Sequence, residues 1–276
     1  MPFVRDGRTL VAHAFDNRYT LPAFNVCTVE MVRACLEAAE EEAAPIILQT
    51  YPGDIEQIAP RQMVALVTSY AEEARVPVML HLDHGQGLEM GLACLRAGYS
   101  SVMYDGADQP LDEVVALTRR LAEVAHLQGA AVEVAAESFN AGAVQFTRPG
   151  DALRLKQEGE ADMIAVSVGS EHGQSGTLEL ELLEEIFETV QAPLVLHGGS
   201  GITAADYAAA RMLGVVKANI GSALYRALRR TWETSADAVN HREVVVRARA
   251  ALKEVAREKI HIMGAAGQAA SFTLTR

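Results

Sequence analysis

His81-Leu82-Asp83-His84-Gly85 closes the apolar run Val76-Pro77-Val78-Met79-Leu80 and opens a glycine-containing turn, Gly85 and Gly87, that leads into a helix-patterned stretch. A short apolar run bounded by a turn reads as a buried strand. A histidine beside a carboxylate at its end can supply a metal ligand and a proton-transfer group within a few ångströms, and α/β folds keep their chemistry at strand ends of this kind. The strand is expected to be one of several that converge on a shared mouth.

Outward from it, short β-rich runs alternate with longer helix-patterned stretches, the signature of repeated βα units and a parallel sheet. The strand candidates are 22–26, 45–49, 77–82, 101–104, 131–134, 163–168, 194–197 and 215–220. Amphipathic candidates lie at 29–42, 59–74, 87–97, 111–127, 149–158, 179–190, 203–213 and 222–239, with apolar residues at helical spacing in most. Pro45, Pro77 and Pro193 stand just before strands, where a missing N–H costs little. Eight strands each followed by a helix describe an α/β fold, a (β/α)8 TIM barrel, and 241–263 reads as an additional C-terminal helix. No linker or low-complexity segment interrupts the pattern, so residues 1–276 are expected to form a single barrel domain.

Composition narrows the function classes. A net charge of −12 argues against nucleic acid or an anionic membrane surface as the main partner, because the overall field repels polyanions. A phosphorylated substrate would need a local site of positive charge or backbone N–H groups. Cys27, Cys35 and Cys94 have no metal-like spacing and read as reduced thiols of a cytoplasmic protein. Met1-Pro2-Phe3-Val4-Arg5-Asp6 lacks a basic segment followed by an apolar one, and no run approaches the roughly 20 apolar residues of a membrane span.

In the barrel reading the polar residues fall at one rim. Asn25 ends the first strand, Asp83 and His84 follow the third, Asp105 follows the fourth and Glu133 lies late in the fifth. His172 lies beyond the sixth, His197 ends the seventh and Asn219 ends the eighth. Three of eight histidines, His84, His172 and His197, thus stand at the mouth, each beside a glycine. Imidazoles from three strands can hold Zn2+ or a similar ion with a position left open, the arrangement of a catalytic site. Taken singly, each would more often be an ordinary rim residue; their coincidence favours the metal.

Asp83 could move protons, orient a metal-bound imidazole, or simply serve the turn. His81 shares its face of the strand and is expected to pack inside the barrel. After the seventh strand, His197-Gly198-Gly199-Ser200-Gly201-Ile202-Thr203, and after the eighth, Asn219-Ile220-Gly221-Ser222, look like phosphate loops. The corresponding loops of many barrels bind phosphate with glycine N–H groups and a helix N-terminus. Tight turns followed by capped helices would satisfy Ser200, Thr203 and Ser222 equally. These residues together describe a metal-dependent barrel enzyme handling a phosphorylated small molecule; a polarised ketone beside a carboxylate suggests aldol cleavage or isomerisation.

These residues resemble the class II, metal-dependent ketose-bisphosphate aldolases, the fructose- and tagatose-bisphosphate enzymes. The resemblance runs from Pro22-Ala23-Phe24-Asn25-Val26 through His81–Gly85, Met103-Tyr104-Asp105-Gly106, Val132-Glu133, 169–173, 197–201 and 219–222 to Gly264-Ala265-Ala266-Gly267. It implies Asp83 as the acid/base at the aldehyde-derived oxygen and His84, His172 and His197 as ligands of Zn2+ or another divalent transition metal, with room for a monovalent cation. It implies Asn25, Gly173, Gly198, Gly199, Ser200, Gly201, Asn219 and Ser222 as the residues around the phosphate and the dihydroxyacetone-phosphate enediolate. Family members are homodimers or homotetramers, and a basic residue near a neighbouring C-terminus reaches a second phosphate; Arg257 or Lys259 could fill that role, against the plainer reading of a charged helix surface.

The departures matter as much. The family's strand-five motif has two glutamates one residue apart, whereas Glu133 here is followed by Val134 and Ala135. The alternative metal position that would use Glu133 and Asp105 is therefore weakened. The mobile loop that carries a catalytic glutamate is shortened to 136–148, with Glu137 its one carboxylate, and Glu171 stands where the family has a small residue. The expected function is a class II aldolase acting on a phosphorylated ketose or related keto sugar acid. The rivals are a non-catalytic aldolase-like subunit and a metal-dependent sugar-phosphate epimerase or isomerase.

Overall fold

The computed structural model describes residues 3–106, 109–136, 138–140, 143–169 and 177–273. Its framework is a closed barrel of parallel strands: β1 (Leu21–Asn25), β2 (Ile46–Thr50), β3 (Val78–Gln86), β4 (Ser101–Asp105), β5 (Ala131–Ala135), β8 (Met163–Val166), β9 (Leu194–Leu196) and β10 (Val215–Ile220). β6 (Ser138–Asn140) and β7 (Ala143–Gln145) pair apart as an antiparallel hairpin, in the segment expected to be loop. The barrel closes where β1 pairs in parallel with β10, Leu21 opposite Lys217 and Ala23 opposite Asn219. Closure leaves no open edge, and the strands are almost wholly buried.

Most helices obey their local signals. α2 (Val29–Glu41) starts where the Thr28 side chain accepts from the Met31 N–H, and buries Met31, Val32, Cys35, Leu36 and Ala39 on one stripe. α5 (Gly87–Ala97) stops at Gly98, whose φ of 109° is open to glycine without a Cβ clash. α6 (Leu111–His126), α7 (Pro149–Gln157), α8 (Leu180–Val190) and α9 (Ala204–Ala210) follow in turn. α10 (Ser222–Glu233) is shorter than its pattern suggested, and α11 (His241–Ile262), capped by Asn240, is the tail helix.

Two helices were not anticipated. α1 (Gly7–Asp16) closes the end of the barrel opposite the mouth, burying Leu10 and Val11, while the Val4 N–H donates to the Val78 carbonyl at 2.8 Å. α3 (Pro52–Gln57) precedes α4 (Pro60–Ala71), so the span 59–74 is shorter than expected and a separate turn of helix stands beside the mouth. Cys35 and Cys94 are buried packing groups, and burial pushes the Cys94 thiol up to about 12.

Candidate active site

The third strand does not end before Asp83, as its apolar run suggested. β3 continues to Gln86, and its pairing with β4 shifts register between Leu82 and Gly85. Asp83 and His84 occupy that bulge, and His84 has a φ of +49°, in the left-handed region that costs a residue with a Cβ. In a regular strand consecutive side chains point to opposite faces. The bulge lets both Asp83 and His84 line one cleft. Asp105, likewise, ends β4 inside the strand and Glu133 sits at the middle of β5 rather than late in it.

The cleft holds about 420 Å³ and is lined by Asn25, Tyr51, Asp83, His84, Gly198, Ser200, Asn219, Gly221 and Ser222. These residues come from β1, β3 and β10 and from the turns after β2, β9 and β10, so the carboxylate, the imidazole and both glycine turns open onto one space. Asp83 is almost buried, with its carboxylate held at both oxygens. Asn25 Nδ2 donates to Oδ2 at 2.9 Å and Asn219 Nδ2 to Oδ1 at 2.7 Å. Each amide is itself oriented. Gln49 Nε2 donates to Asn25 Oδ1 at 3.0 Å, and the Lys217 ammonium donates to Asn219 Oδ1.

The two described imidazoles of the candidate metal site are each tied to a carboxylate. His84 Nδ1 lies 2.6 Å from Asp105 Oδ2, and His197 Nε2 lies 3.1 Å from Glu133 Oε1. Their rings stand 4.5 Å apart, centroid to centroid. Asp83, His84 and His197 each bring a donor atom to within 4.8 Å of the others. Imidazoles oriented by carboxylates, with a further carboxylate at their edge, fit a divalent transition metal. His172, Gly173, Glu171 and Glu137 lie outside the described residues.

Behind His197, Glu133 is fully buried against Lys217, with Nζ 3.0 Å from Oε2, and against His81 Nε2 at 3.4 Å. Lys217 is buried too, so the pair satisfies the rule that buried charges are matched. His81 Nδ1 also meets Ser101 Oγ at 2.8 Å. Burial, then the Lys217 charge, holds its pKa well below the ordinary imidazole range, so His81 is a neutral interior group, as expected. Asp105 and Glu133, expected as ligands of an alternative metal position, each stand beside one of the two imidazoles, and Glu133 also faces the Lys217 ammonium.

The two glycine turns are tight and joined to one another. Gly198 has a φ of +70° and opens a 3₁₀ turn, Gly199–Gly201. Tyr207 donates from its hydroxyl to the Gly199 carbonyl at 2.8 Å, and a Cβ on Gly199 would meet that hydroxyl at 2.6 Å. Ser200 Oγ accepts from the Ala223 N–H at 3.3 Å, joining this turn to the start of α10, while Thr203 caps α9. Arg257 is not part of the cleft: its Nε donates to Glu42 Oε1 at 2.9 Å, pairing the tail helix with α2. The sequence reading passed over Gln49, Tyr51 and Lys217. A lysine inside the apolar run Val215–Ile220 was the available signal for the last, and Tyr51 sets its ring edgewise to His84 at 5.9 Å.

The family model described as fructose-bisphosphate aldolase class-II matches residues 5–268. A Bacillus licheniformis protein, 6-phospho-5-dehydro-2-deoxy-D-gluconate aldolase, is 32% identical over 95% of this chain and 95% of its own length. The D-tagatose-1,6-bisphosphate aldolase subunit GatY of Klebsiella oxytoca is 32% identical over 96% of this chain and 99% of its own. Among solved structures, the YdjI aldolase of Escherichia coli K12 superposes with a TM-score of 0.86 at 30% identity, covering 97% of this chain and 99% of that one.

Proposed function

The chain belongs to the class II fructose-bisphosphate aldolase family, whose members are carbon–carbon lyases, and we propose that it cleaves or forms a phosphorylated ketose, or a related keto sugar acid, at the cleft beside Asp83. The observation that carries this reading is the juxtaposition, at one cleft, of a carboxylate locked by two amides, two glycine turns and the carboxylate-backed imidazole of His84, with that of His197 4.5 Å from it ring to ring. His84, His172 and His197 would hold Zn2+ or another divalent metal. When bound, the ion would polarise the ketone of the substrate.

The rest is work for the chain's own groups. The turn Gly198–Gly201, with Ser222 at the first position of α10, grips the phosphate through N–H groups and hydroxyls. Asn25 and Asn219 keep the Asp83 carboxylate aimed into the cleft. Asp83 takes the proton from the hydroxyl on the far side of the bond to be broken. As the aldehyde leaves, the electron pair stays on the carbon next to the ketone, and that carbon must receive a proton. Glu137, the one carboxylate of the stretch 136–148, is the residue that we assign to this return step. The protein works as a homodimer or homotetramer; Tyr225 and Trp232, seven residues apart on α10 and each about 60% exposed, support that reading. Size-exclusion chromatography with light scattering checks it, and a strict monomer would end it.

A panel of ketose phosphates and phosphorylated keto sugar acids, incubated with the metal-loaded protein, tests the activity. Release of a three-carbon fragment from at least one is the expected result. Metal bound at full occupancy with no cleavage of any substrate would instead favour a non-catalytic subunit. Rearranged sugar without cleavage would favour an epimerase or isomerase.

A further inference from the structure

Among the described residues, those that line the cleft include no lysine or arginine, and they include the Asp83 carboxylate. The chain as a whole carries a net charge of −12. A phosphate dianion entering this space meets backbone N–H groups and hydroxyls of the described lining, and no described Lys or Arg side chain stands on it. Directly behind the lining stands one. Lys259, on the tail helix, is buried, and its Nζ donates to the Ser200 carbonyl at 3.2 Å. We propose that Lys259 is a positioning residue for the substrate phosphate, holding the Gly198–Gly201 turn in its binding shape and placing a positive charge directly behind it.

The geometry gives it both tasks. Lys259 is not on the cleft lining, so its bond draws the Ser200 carbonyl away from the cleft and keeps a partial negative charge from facing the phosphate. The Tyr207 hydroxyl does the same for the Gly199 carbonyl at 2.8 Å. The turn is also closed on itself, with the Gly201 N–H on the Gly198 carbonyl and the Ile202 N–H on the Gly199 carbonyl, both at 3.4 Å, so Lys259 and Tyr207 hold from behind a loop that is already tight. The Ser200 hydroxyl, bonded to the Ala223 N–H, carries the same restraint to the start of α10. The second partner of Lys259 is Glu258, whose Oε1 lies 3.1 Å away on a largely exposed side chain. Screening by water leaves the buried ammonium with a net positive influence on the loop.

This inference rests on the reading of the glycine turns as the phosphate grip. The test uses the full-length, metal-loaded protein in calorimetric titrations with inorganic phosphate, dihydroxyacetone phosphate and, as the uncharged control, dihydroxyacetone. Lys259→Met is expected to weaken both phosphate ligands about tenfold, with dihydroxyacetone unchanged, and Lys259→Arg to keep them within about threefold of the original chain. In turnover, KM for the phosphorylated substrate rises while kcat holds. Unaltered phosphate affinity in Lys259→Met overturns the proposal, as does an equal loss for all three ligands, the mark of a merely structural role. Should Lys259→Met not fold, Glu258→Gln decides: removing the anion beside the ammonium is expected to tighten phosphate about twofold, and unchanged or weaker binding counts against the proposal. If the unaltered chain binds neither phosphate ligand, or binds them without regard to Ser222→Ala, the reading of the glycine turns itself falls, a result distinct from a failure of Lys259 alone.

Discussion

Asp83 shows how a reactive group is held still. Its two oxygens accept from Asn25 and Asn219, and each of those amides is fixed at its other end by Gln49 or Lys217. Four side chains from β1, β2 and β10 thereby spend their hydrogen bonds on the aim of one carboxylate. Replacing Asp83 with alanine should lower turnover by about 10²–10⁴, the usual worth of a positioned proton-transfer group. Metal content, measured by mass spectrometry of the elements, should stay at the original stoichiometry; a matching fall in bound metal would make Asp83 a ligand instead. His81 yields a prediction of a different kind. Its folded pKa lies well below the unfolded value near 6.5, so below that pH the unfolded chain takes up a proton that the folded one refuses. The stability this neutral imidazole supports is complete above the unfolded pKa and declines as pH falls toward the folded one, by up to about 1.4 kcal/mol per pH unit. Urea unfolding of the metal-free protein between about pH 7 and 5.5 should show a shallower decline in His81→Gln than in the original chain.

At the scale of elements, the bulge in β3 does what a regular strand cannot. Gly85 makes it possible: a Cβ there would run into the Met103 carbonyl of β4 and come within 2.6 Å of Leu82 Cδ2. Gly85→Ala should force β3 from β4, costing about 1–3 kcal/mol as overpacking does. It should also swing His84 off the cleft, so that metal affinity falls further than the loss in thermal stability would suggest. Competition with a chromogenic chelator reads the first and calorimetry the second. The bulge also marks the limit of what the sequence could reveal. The eight barrel strands were legible, most within two residues at each end, because each is a short apolar run between turns. The residues at the mouth were legible because catalytic residue types stood where such runs stop. A left-handed φ at a histidine has no sequence signature, so Asp83 and His84 were placed after β3 rather than within it. Lys217 was invisible for the opposite reason: a lysine in an apolar run looks like a solvated edge until Glu133, eighty-four residues earlier, is found opposite it. α1 precedes the first strand and has no βα unit to reveal it.

For the whole molecule the weak point of a closed barrel is the seam where the last strand meets the first, because the chain reaches it only after everything else is made. The tail helix lies along that seam. α11 packs on α2, on α10 and on β1, and buries Ala248, Leu252, Ala256 and Ile260, with Met263 just beyond. The backbone beyond it continues the bracing: Thr20 N–H bonds the Met263 carbonyl, Gly267 N–H that of Glu42 and Ala269 N–H that of Ala43. Lys253 and Arg257 pair with Glu41 and Glu42 on the same face, but exposed pairs of this kind contribute at most about 1 kcal/mol each. The apolar contacts outweigh them. Leu252, Ile260 and Met263 alone, at about 1.5–3 kcal/mol each, amount to about 5–9 kcal/mol. A domain's whole stability is about 5–15 kcal/mol, so a chain ending at Asn240 should lose the cooperative fold rather than merely the tail. Circular dichroism melting and limited proteolysis of that truncation should show no sharp transition and rapid digestion, even with metal added. A truncated barrel that melts cooperatively within a few degrees of the full chain would show that β1 and β10 hold the seam by their own pairing, and that α11 serves the cleft chiefly through Lys259.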